Sequence, residues 1–87
     1  MLGKEALEQL TALNSNCRKA LRENDFQKLQ ALMELKKEIM KFLKNCSFSP
    51  EDLPLVQKVL ADEEDLAKLV LHKKKALVEF MRVSNFH

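Results

Sequence analysis

Apolar side chains return along the first part of the chain at alternating spacings of four and three: Ala6, Leu10, Leu13, Cys17 and Ala20, with Leu7 and Leu21 widening the stripe. That period belongs to a helix with one apolar face. The opposite face carries Lys4, Glu8, Thr11, Ser15, Arg18 and Arg22, so the first helix is read from about residue 4 to 23. Asn24-Asp25 then supplies a capping signal ahead of Phe26. A second helix follows over about residues 25–45 with neither Gly nor Pro inside it. Its apolar residues, from Phe26 and Leu29 through Met33, Leu35, Ile39 and Met40 to Phe42 and Leu43, cover an arc of roughly 200°, twice the usual core-facing stripe.

Ser47-Phe48-Ser49-Pro50 breaks this pattern. Ser49 reads as an N-cap, Pro50 as the first helical residue and Asp52 as the third position of a capping box. Nothing interrupts the helical period from there to Ser84-Asn85, which predicts a third helix over about residues 50–83, roughly 50 Å long. The first two helices reach only about 30 Å. The third should therefore overhang them with Leu77, Val78, Phe80 and Met81.

Short connections make successive helices antiparallel. Residues 1–87 thus read as one all-α domain, an up-down-up bundle of three helices with a long third helix. Helix three also has an apolar arc of roughly 200°. With the two arc centres facing, their flanks emerge as two apolar sides. One presents Phe26, Met33 and Met40 beside Leu53, Leu60, Ala67, Leu71 and Val78. The other presents Leu35, Ile39, Phe42 and Cys46 beside Leu55, Leu66, Leu69 and Phe80, with Asp62 and Lys73 among them.

Helix one can cover only one of these sides. The first is free of charge and is assigned to helix one. The second is expected to stay open as a partner-binding groove formed by Leu35, Ile39, Phe42, Leu55, Leu66, Leu69, Lys73 and Phe80. On this assignment Leu35, Phe42 and Leu69 should be more exposed than Leu29, Val59 and Leu60. A second copy of the chain would bury the same groove and the overhang, so a heterologous partner and a homodimer both remain open. Lys36 and Glu63 fall near the middle of their arcs at comparable heights, and are expected to meet across the seam.

Composition narrows the function. A net charge of +2 with 32% charged residues gives no basic field of the kind nucleic-acid binders carry. Lys73-Lys74-Lys75 follows acidic Asp62-Glu63-Glu64-Asp65 on one helix, and direct nucleic-acid binding is not expected. No apolar run approaches the roughly 20 residues of a membrane span. Without a signal peptide at Met1-Leu2-Gly3-Lys4, the expected compartment is a reducing cytoplasm, where Cys17 and Cys46 serve as small apolar side chains. No H-E-x-x-H, C-x-x-C, phosphate loop or nucleophile elbow occurs. His72 and His87 lack partners at metal or catalytic spacing and read as solvated. The chain is expected to bind proteins, without catalysis, metal or cofactor.

The order of features also carries a resemblance. Asn24-Asp25-Phe26-Gln27-Lys28-Leu29 opens helix two, Ser49-Pro50-Glu51-Asp52-Leu53 marks the break, and Val59-Leu60-Ala61-Asp62-Glu63-Glu64-Asp65-Leu66 leads into a lysine-rich final helix. Over roughly Leu7 to Met81 this resembles the FliT family of flagellar type III export chaperones, where an acidic turn plus an aromatic opens helix two and an Asp-centred segment lies midway along helix three. The resemblance implies a cytoplasmic chaperone that binds the C-terminal helix of the filament-cap protein and prevents its premature assembly. It also implies contacts with export ATPase components and, in some bacteria, the flagellar transcription activator. Family members commonly continue into a fourth helix that covers the groove, whereas this chain stops at Ser84-Asn85-Phe86-His87. The groove is therefore expected to be uncovered or filled by another chain. A structural homodimer and a regulator that sequesters a transcription activator are the alternative functions.

Overall fold

The computed structural model describes residues 2–84, and the side chains up to Arg82. The reading of His87 as solvated and the expected stop at Asn85 lie outside the described residues. Among the described residues the chain forms three α-helices, α1 (Gly3–Arg22), α2 (Phe26–Lys44) and α3 (Leu53–Ser84), with a single 3₁₀ turn at Pro50–Asp52 before the last. The protein is an all-α helical bundle.

Local chemistry sets each boundary. Asn24 takes a positive φ of 57°. Asn tolerates this left-handed conformation better than most side chains. It lets the Asn24 N–H donate to the Leu21 carbonyl and the Asp25 N–H to the Ala20 carbonyl, satisfying the last turn of α1. Asp25 then caps α2, its Oδ1 accepting the Lys28 N–H at 3.2 Å.

The capping box expected at Ser49 does not form. The Ser49 hydroxyl instead donates to the Asp52 carboxylate at 3.1 Å, and the Asp52 N–H donates to the Ser49 carbonyl. Pro54 also shapes this start. It has no N–H to donate to the Pro50 carbonyl, so that carbonyl accepts from Leu53 and the first turn tightens to 3₁₀ geometry.

Helix α1 is the central element. It packs against both α2 and α3, whose backbones approach each other far less closely. Its buried face comprises Ala6, Leu7, Leu10, Asn14, Cys17, Ala20 and Leu21. Leu13 is only half-buried, and Asn14 takes the core position beside it. Near the Asn24 turn, Cys17, Ala20 and Leu21 pack with Leu29 and Leu66, joined by Leu32 and Val70. Toward the other end, Leu7, Leu10 and Val59 pack with Ile39, Leu43, Leu55 and Val56. Phe48, from the α2–α3 linker, closes that end against Gly3, where a Cβ would come within 2.8 Å of the ring.

Contacts from Asn14 and Arg18 to Asp62 and from Arg18 to Asp65 run in the same order along both helices, so α1 and α3 are parallel. With α2 between them in the chain, the up-down-up arrangement follows. The molecule measures 58 × 20 × 19 Å. Its length exceeds that of α1 or α2 because α3 projects past both; of the four residues expected on the overhang, Val78, Phe80 and Met81 are exposed and Leu77 is half-buried.

The turn at Asn24 supplies a stability test. Asn24→Ala should cost about 1 kcal/mol, because a Cβ-bearing residue without a local polar side chain pays the left-handed penalty. Asn24→Gly should be neutral or slightly stabilising. Urea unfolding followed by circular dichroism reads both.

Candidate functional site

The single apolar stripe of α1 can cover only one strip on each of two partners with wide arcs. On α2 it takes Leu29, Leu32, Ile39 and Leu43; on α3 it takes Leu55, Val59 and Leu66. The uncovered strips lie side by side as a groove between α2 and α3. Met33 is 39% exposed on one wall, and Leu60 and Leu71 are 57% and 54% exposed on the other. The buried Cys17 near one end, and Leu7 with Leu10 near the other, lie beneath it. Adjoining hollows of about 330, 300 and 210 Å³ run along this groove, and Glu63 lines all three.

This reverses the expected assignment. The side carrying Phe26, Met33, Leu53, Leu60, Ala67, Leu71 and Val78 is exposed, with only Met40 of that set packed on the core as expected, and α1 occupies the side expected to be open. Of the expected groove residues, Leu66 is buried at 3% exposure, and Ile39 and Leu55 pack on the core. Phe42 is half-buried. Leu35 is exposed on α2, and Phe80 on the projecting end of α3. Leu69 and Lys73 share a separate hollow with Arg18, Leu21 and His72. The eight side chains therefore do not converge on one surface. Leu35 and Leu69 are indeed more exposed than Leu29 and Val59, but Leu60 is among the most exposed leucines.

The cause lies in Asp62. Its charge argued for an open side, yet α1 brings partners to it. The fully buried Asn14 donates Nδ2–H to Asp62 Oδ2 at 2.9 Å, and the Arg18 guanidinium donates to Oδ1. Arg18 also lies 3.6 Å from Asp65. A carboxylate supplied with a cation and an amide can face a packed helix at acceptable cost. The legible signal was Asn14, a polar residue at core spacing in the α1 stripe, with Arg18 one turn later.

The Arg18 hydrogen bond, reinforced by that from Asn14, holds the Asp62 carboxyl below the usual carboxylate range against the opposing effect of burial. The same contact raises Arg18.

Lys36 and Glu63 meet as expected, Nζ to Oε2 at 2.9 Å with both side chains largely buried. They bridge α2 and α3 at the middle of the groove. Glu63 Oε1 is buried without a hydrogen-bond partner, so the bridge is only half satisfied. Lys37, Lys41 and Lys44 extend from this point along the α2 wall, and Lys74 sits on the α3 wall. The sequence pattern assigns Lys37, Lys41 and Lys44 no role and marks Lys74 only as part of a solvated basic run.

Burial raises the Cys17 thiol, and the Cys46 thiol is half-buried and donates to the Phe42 carbonyl at 3.4 Å. Among the described residues no group of His, Cys, Asp and Glu could hold a metal ion, and no helix is long and apolar enough to cross a membrane. Comparison with protein families, with characterised proteins and with solved structures returns no match.

Two outcomes follow. Because the folded-state value of Asp62 is depressed, its contribution to stability is complete above the ordinary carboxylate value of about 4 and is lost as pH falls through the lower folded value. Asp62→Asn should flatten that acid-limb loss, as read by thermal unfolding across pH. At the groove centre, Lys36→Met and Glu63→Leu should each cost about 1–3 kcal/mol, and the double variant less than their sum. A coupling energy near zero in the double-mutant cycle would show that the two groups do not act as a pair.

Proposed function

We propose that this protein is a chaperone that holds an amphipathic helix of a client protein in the groove between α2 and α3. One observation carries the reading: α2 and α3 are both braced by α1, and their outer apolar strips, with Met33 on one and Leu60 and Leu71 on the other, stay exposed side by side. A helix laid over those two strips would take the fourth position of a four-helix bundle. The groove is concave and apolar, with polar groups only at its rim and at the Lys36–Glu63 bridge, which suits a helix laid in lengthwise. Met33 and Met40 contribute adaptable side chains, as surfaces that repack around a partner do.

The resemblance to FliT-type export chaperones supports naming the client class as the C-terminal helical segment of a filament-cap protein, retained in the cytoplasm until export. The groove on this chain lies on the Met33–Leu60 side rather than the Leu35–Leu66 side.

The test is capture of a filament-cap segment by purified protein, measured by calorimetry. Leu60→Asp or Leu71→Asp should weaken capture about tenfold or more. Each should change folding stability by no more than about 0.5 kcal/mol, as for a surface site. Leu35→Asp, on a different face of α2, should leave capture unchanged. Undiminished capture by Leu60→Asp and Leu71→Asp would place the binding surface elsewhere.

A further inference from the structure

Building on that reading, we infer that the occupant of the groove is a helix of about five turns whose flanks are acidic. The length comes from α2. Its apolar strip runs from Phe26 to Met40 and its wall ends at Lys44, which allows about 18 residues or roughly 27 Å of helix.

The charge comes from the walls. Lys37, Lys41 and Lys44 stand at spacings of four and three along the α2 edge, and Lys74 stands on the opposite wall. Glu63 is the acidic residue lining these hollows, and it is already engaged by Lys36. Lys37 and Lys41 reach Glu34 and Glu38 at 3.4 Å, but these pairs are solvent-exposed. Exposed pairs of this kind hold little energy, so the ammonium groups can turn to a partner. A bound helix with Asp or Glu beside its apolar stripe would meet a row of cations over an apolar floor.

The same charges weigh against the other occupants. A second copy seated face to face would set lysine rows against one another. A bilayer would attract the lysines, but the hollows between the α2 and α3 walls form a concave surface that a flat one leaves unfilled.

The test uses the full chain with designed, fluorescently labelled amphipathic peptides of about 18 residues that share one leucine stripe. One peptide carries Glu on both flanks and the other carries Lys. At low salt the Glu peptide should bind about tenfold tighter, with the difference shrinking as salt rises. The triple variant Lys37→Glu/Lys41→Glu/Lys44→Glu should invert the preference, with circular dichroism confirming that its helices are retained. Equal, salt-insensitive binding of both peptides would overturn the charge inference and leave the groove reading standing. Failure of both peptides to bind would overturn the groove reading itself. Preferential partition onto anionic phospholipid vesicles, or self-association that excludes the peptides, would replace the acidic helix with lipid or with a second copy.

Discussion

Asp62 accepts the Asn14 amide and the Arg18 guanidinium across the α1–α3 seam, and that contact decides which flank of α3 the first helix occupies. The rest of the surface follows. Once α1 lies over Asp62, Leu66 and Val59 become core, and Leu60 and Leu71 are left facing outward. With α1 over Leu60 instead, Asn14 and Arg18 would lose the Asp62 carboxylate and the Asn14 amide would face leucines. Burying those polar groups without partners is costly, so these hydrogen bonds favour the observed flank.

The chain announces its helices clearly and its handedness poorly. Apolar period, Asn24-Asp25 and Ser49-Pro50 place all three helices close to their observed limits, because caps and breakers act locally. The Lys36–Glu63 bridge was also legible, since a charge at the centre of an apolar arc has few other places to go. The open side was not. Helices α2 and α3 each carry two usable apolar flanks, and the choice depends on Asn14, which reads in sequence as one polar residue in a leucine stripe. Treating Asp62 as evidence of exposure ignored that a partner on another helix can supply its hydrogen bonds. Pro54 similarly altered the start of α3 through a missing donor four residues from Pro50, a backbone effect that side-chain pattern does not display.

The core is divided between two small clusters joined across Asn14, and a chain of this length leaves much of its apolar surface in water. Its exposed leucines and methionines are concentrated along the sides of α2 and α3 that α1 does not reach. An occupant that contacts α2 and α3 together would add the apolar contacts those helices do not make with each other. By mass action it would stabilise the fold, in proportion to its concentration over its dissociation constant.

The linker from Asn45 to Ser49 crosses from α2 to α3 and carries Phe48 over the end of the bundle, whereas at the opposite end the turn at Asn24 joins α2 to α1 and leaves the α2–α3 gap unbridged. The groove is thus bordered by the linker at one end and continues at the other onto the projecting turns of α3. An occupant longer than α2 would therefore gain further apolar contact only at the end away from the linker, along Leu71 and Val78.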